Sequence, residues 1–122
     1  GALVSVDGEE MVEARWVRPE DAVAEHQAGK LRLPPPTVVS LIDLSQHGSV
    51  DAAVATARCR IPPYFFPKVC SDDPEDVVML YPGDAGYESG NRSVAGARHR
   101  AMWVDGVITY RRDFSFPDRD SL

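Results

Sequence analysis

Three consecutive prolines, Pro34, Pro35 and Pro36, constrain this chain more than any other feature. A proline fixes its own φ and has no N–H to donate. Leu33, Pro34 and Pro35 each precede a proline, which biases them away from helical backbone. The run therefore reads as a rigid, proline-fixed turn leading into a helix. Thr37 follows it and suits a helix cap. Val38, Leu41, Ile42 and Leu44 then recur at the spacing of a buried helical stripe, which predicts a helix from about Val38 to His47.

Punctuation on either side of the prolines is equally clear. Pro19 suits the first position of a helix, and Glu20 and Asp21 favour the positive end of its dipole. Gly29 supplies a left-handed stop. A helix from about Pro19 to Ala28 follows, with Ala22, Val23 and His26 on its inner face. Before it, Met11 to Val17 alternates as a strand would, with Trp16 as the expected buried anchor. After the second helix, Gly48 is a stop and Ser49 a cap. A third helix is predicted from Val50 to Cys59, with Val50, Ala53, Val54 and Ala57 inward and packed on the second helix as a hairpin.

The chain then becomes β-rich. Tyr64–Cys70, Asp76–Tyr81, Arg98–Val104 and Val107–Arg112 read as strands. Ser71-Asp72-Asp73-Pro74 is turn chemistry, and Asp105-Gly106 is a strong two-residue hairpin signal. A glycine-rich loop covers residues 83–97. The expected class is α+β: a leading strand and three helices over residues 1–60, an antiparallel region over 61–113, and a charged, frayed tail over 114–122.

A net charge of −6 opposes contact with phosphate backbones, so no nucleic-acid partner is expected. No apolar run is long enough to span a membrane. Two cysteines, Cys59 and Cys70, make neither a disulfide scaffold nor a metal clip, and a cytoplasmic setting is expected. Arg outnumbers Lys 11 to 2, which suggests a GC-rich bacterial gene. The chain opens on Gly1 rather than Met, so its start is expected to have been trimmed.

Candidate chemistry is sparse. His26, His47 and His99 are scattered, which does not suggest zinc. Cys59 with His47 lacks an orienting third residue. Ser40, Ser45 and Ser49 lack a nucleophile elbow, and no glycine-rich nucleotide cradle occurs. Pro82-Gly83-Asp84 reads either as a loop over a substrate or as a strand-ending turn in which Asp84 bonds its own backbone. Arg98 and Arg100 share one strand face, near Arg111 and Arg112. They read either as phosphate ligands or as a solvated face. Asp84, Arg98 and Arg100 are thus the substrate-binding candidates, with no catalytic or metal-binding residue assigned.

Two blocks of the chain carry a family resemblance. One is Glu13-Ala-Arg-Trp-Val-Arg-Pro-Glu-Asp-Ala-Val23 running on to Leu33-Pro-Pro-Pro-Thr37. The other is Val78-Met-Leu-Tyr-Pro-Gly-Asp-Ala-Gly-Tyr87 with the hairpin after it. Together they resemble the segment after the catalytic helix of Nudix hydrolases, in the branch related to peroxisomal coenzyme A diphosphatases. The resemblance spans roughly residues 9–112. It implies the carboxyl-terminal part of an α/β/α sandwich with an appended β layer. The carboxylate-rich helix that holds a divalent cation in that family has no match: Glu9-Glu10 and Asp72-Asp73 lie in predicted loops, and Glu20 and Asp21 are adjacent. The implied role is non-catalytic, shaping the substrate side or a dimer interface of a hydrolase of coenzyme A or nucleotide diphosphates. Magnesium or manganese is then expected in the full-length enzyme and no cofactor in this chain. The upstream Nudix half is the expected partner, and a homo-oligomer is expected. The alternative is a stand-alone protein-interaction module, suggested by the acidic charge and the aromatic run Tyr64-Phe65-Phe66.

Overall fold

The computed structural model describes residues 15–71 and 73–119. They form α1 (Pro19–Gln27), α2 (Pro35–Ser45) and α3 (Val50–Cys59), then β1 (Lys68–Cys70), β2 (Asp76–Leu80), β3 (His99–Val104) and β4 (Val107–Arg112). The strands make one antiparallel sheet in the order β1-β2-β3-β4. The α+β class is as the sequence predicts.

The helices start where their first residues allow. Pro19 opens α1. Ser49 caps α3, its hydroxyl accepting from the Ala52 N–H at 3.1 Å. The second helix differs from expectation. It begins at Pro35 rather than Val38, with extended Pro34 as its cap. The first helical positions need no N–H donor, so Pro35 and Pro36 are tolerated there despite the bias on a residue before proline. Asp105 and Gly106 both take positive φ, 53° and 78°, and close the β3–β4 hairpin.

The sheet is covered on both faces. On one, Val38 of α2 meets Tyr81, Ala101 and Ile108, with Leu33, Ile42, Met79 and Tyr110 packed around them. Both α1 and α2 pack on β4, so helices and sheet share this core. On the other face lie Val78, Leu80 and Arg100, which register with Cys70, Met102 and Arg111. Val78 and Leu80 are fully buried. Residues 83–97 form their cover: Lys68 Nζ donates to the Tyr87 carbonyl at 2.7 Å, and Cys70 Sγ lies 2.6 Å from the Gly90 carbonyl oxygen.

Several expectations are corrected. Trp16 is 76% exposed rather than an anchor, and residues 15–17 precede α1 outside β1 to β4. The rest of that expected strand, with Glu9, Glu10 and the Asp7-Gly8 turn, lies outside the described residues, as does Asp72. The helix hairpin is made by α1 with α2, not by α2 with α3. No residue of α3 is buried, and Val50 and Val54 face outward. The first β-run pairs only over Lys68–Cys70. The tail is held, not frayed, as far as Asp118. The Ile61 N–H donates to the Pro117 carbonyl at 3.2 Å, and Arg60 pairs with Asp118 as a β-bridge. Phe114 and Phe116 stack edge-on against His99.

Candidate functional site

The Pro82-Gly83-Asp84 turn and the start of β3 form a buried polar node. Leu80 ends β2, and the Tyr81 N–H donates to the His99 carbonyl at 2.9 Å, which keeps the turn beside β3. The Asp84 carboxylate is fully buried. It accepts from Arg100 Nε at 2.8 Å and Nη2 at 2.9 Å, a bidentate pair. It also accepts the backbone N–H of Gly86 at 2.9 Å and of His99 at 2.8 Å. Burial alone would raise the Asp84 carboxyl. The Arg100 guanidinium and the two N–H groups outweigh it and hold the carboxyl at about 2.

Arg100 is 7% exposed, and its third nitrogen donates to the Arg92 carbonyl at 3.2 Å. All three guanidinium nitrogens are therefore engaged within the chain. Arg98 stands 3.9 Å from the same carboxylate and donates to the Val94 carbonyl. The structure thus brings the three substrate-binding candidates, Asp84, Arg98 and Arg100, to one point, but they face each other. Arg100 is not on a solvated face. The Gly86 contact is the backbone-bonding turn weighed for Asp84. Gly86 itself is required by space, because a Cβ there would sit 2.1 Å from the Asn91 carbonyl oxygen.

His99 adds a second line of hydrogen bonds. Its Nδ1 lies 2.8 Å from the Pro82 carbonyl, which can only accept, so Nδ1 carries the proton. Nε2 then accepts from the Tyr110 hydroxyl at 2.7 Å, and that oxygen accepts from Arg112 Nη1 at 3.3 Å. The ring is boxed by Phe65, Tyr81, Phe114 and Phe116. Burial pushes the His99 pKa down, the Arg112 charge adds to this, and the Pro82 bond opposes it. Burial likewise raises the Tyr110 phenol. A neutral, caged imidazole with both nitrogens bonded holds the turn in place and presents no free atom to a substrate.

His26 is buried in the same manner at the far end of the sheet. Its Nδ1 bonds the Leu31 carbonyl at 2.8 Å, and Nε2 accepts the Ile108 N–H at 2.8 Å. This ties α1 to β4, an outer strand of the sheet. Sequence reasoning placed His26 on the inner face of its helix but could not see the strand it meets. Arg111 and Arg112 diverge, as adjacent strand residues must. Arg111 pairs with Asp113 at the surface, and Arg112 lies over the Phe116 ring at 4.0 Å. His47 follows α2 and lines a different feature, an apolar groove of about 720 Å³ beside Leu44, Val50, Ala53 and Val54, with Arg18 and Glu20 at its edge.

No family model matches the chain, and no curated protein and no solved structure matches it either. Among the described residues, no helix is long and apolar enough to cross a membrane.

Proposed function

We propose that this chain is a non-catalytic region of a Nudix-like hydrolase of diphosphate-linked substrates, completed by a metal-binding half encoded upstream. The observation that carries the reading is α3. It is a capped helix whose apolar residues Val50, Val54 and Ala57, with Leu44 of α2, face an open groove rather than a core. Val50 is 80% exposed and Leu44 46%. A helix with an apolar stripe is stabilised chiefly by burying it, so this face calls for a further layer. Arg18 and Pro19 line the groove where the chain enters α1. The two sequence blocks that resemble Nudix proteins support the choice of that partner over an unrelated one. In this reading the polar node at Asp84 shapes the rim of the substrate site, a divalent cation such as magnesium is held by the upstream half, and the setting is cytoplasmic.

The test compares this chain with a version extended upstream, assayed on coenzyme A and on nucleotide diphosphates with magnesium. Activity is expected only in the extended protein. Equal activity in both would refute the division of labour. Sizing the 122-residue chain in solution discriminates the rival reading. Self-association through the open face is expected here, whereas a sharp monomer favours a stand-alone interaction module.

A further inference from the structure

We propose that a cleft between α2, the segment after α3 and the tail binds a small organic carboxylate, its anionic end on Arg112 and its apolar body against Phe65 and Phe116. The cleft lies beside the α3 groove, shares Leu44 with it, and has a volume of about 320 Å³. That is near the lower end of ligand cavities, roughly 300–1,000 Å³, so its occupant is small.

The charge inside it is unequal. Arg60 donates to both oxygens of Asp43, at 3.2 and 2.8 Å, and the two cancel. Arg112 is left over: among the described residues no carboxylate pairs with it. The lining therefore carries a net charge of +1, from Arg60, Arg112 and Asp43, on a chain whose net charge is −6. Arg112 is also already oriented. Its Nε donates to the Phe114 carbonyl at 2.8 Å and Nη1 to the Tyr110 hydroxyl at 3.3 Å, while the plane rests on Phe116. Nη2 and one proton of Nη1 remain for a ligand. A guanidinium held in one rotamer loses little entropy on pairing with a planar carboxylate. Ser40, exposed at the cleft's α2 side, has a hydroxyl that makes no hydrogen bond among the described residues and supplies a second donor. The Asp43 carboxylate sets the limit on charge. A monoanion matches the surplus of one, whereas a dianionic phosphate would meet Asp43 at short range.

The inference does not rest on the diphosphatase reading and is tested separately. Amide NMR spectra of the whole chain are followed while benzoate, and in parallel inorganic phosphate, is added at constant ionic strength. Saturable shifts centred on Ser40, Phe65 and Phe116 are expected with benzoate and not with phosphate. Arg112→Gln should weaken binding at least about tenfold, the loss of one charge-assisted pair. Because Arg112 also supports Tyr110, a second variant guards against misfolding. Ser40→Trp, at an exposed helical position, fills the mouth and should abolish the shifts with the spectrum otherwise unchanged. No saturable shift at millimolar benzoate, an equal response to phosphate, or binding that survives Ser40→Trp would each overturn the proposal.

Discussion

The two coverings of this molecule are built on opposite terms. Residues 83–97 cover one sheet face with hardly any apolar bulk, held by Asp84, Arg100 and backbone groups whose donors and acceptors are matched. The α3 segment is apolar on one side, capped and regular, yet buries none of its residues. A polar loop can be fixed when each buried charge finds its partner. An apolar helix cannot be satisfied locally, because its stabilisation comes from area that something else must cover. The first region is matched by residues of this chain; among the described residues, the apolar stripe of the second has no cover.

The sharpest way to break the contrast is to remove one half of the buried pair. Asp84→Ala leaves Arg100 as an uncompensated buried charge and frees the N–H groups of Gly86 and His99. A loss of about 3–5 kcal/mol in unfolding free energy is expected. Arg100→Ala should cost a similar amount, and the double substitution should recover part of it, because the second change removes the stranded charge. Urea unfolding of the three variants measures this. Single losses under about 1 kcal/mol would mean that water reaches the node and that the loop is held by something else.

Acid should attack the same node more gently. The Asp84 carboxyl is depressed from 3.8 to about 2, so the folded state binds its proton less readily than the unfolded chain does. Its contribution is complete above about pH 4 and disappears as pH falls from there toward 2. The difference corresponds to roughly 2 kcal/mol. His99 shifts in the same sense, downward from 6.5. Its penalty for protonation in the folded state therefore begins below about pH 6.5 and grows as pH falls toward its lowered folded value. Unfolding free energy measured against pH should decline in these two windows. His99→Gln should flatten the upper window and spare the lower. A flat profile between pH 4 and 2 would remove Asp84 from the account.

How much of this was legible follows from the range of each interaction. The hairpin at Asp105-Gly106, the start of α1 at Pro19 and the cap at Ser49 depend on neighbours within a few residues, and each stands where the sequence places it. Asp84 and Arg100 are 16 residues apart and meet only through the β2–β3 register. Frequency alone therefore favoured a solvated arginine. His26 reaches Ile108 across 82 residues. The tail carries a signal of its own: Phe114 and Phe116 alternate, as side chains on one extended face do. The spacing of α3 predicted an inner face at Val50, Ala53, Val54 and Ala57, and none of these residues is buried. Periodicity states that a face is apolar, not that this chain supplies its cover.

That last distinction gives the smallest and most diagnostic effect. Val54→Asp on α3 places a charge on a face that is 42% exposed at that position. In a buried helix such a change costs several kcal/mol, since an ionised carboxylate resists leaving water. Here the side chain keeps its hydration, and surface substitutions of this kind usually stay within about 0.5 kcal/mol. At dilutions where it is monomeric, the 122-residue chain should therefore unfold almost as the parent does, while the extended protein loses stability or activity because the charge now lies in its junction. A large loss in that dilute chain would show that α3 is already covered within it. Equal tolerance in both proteins would show that nothing docks on α3.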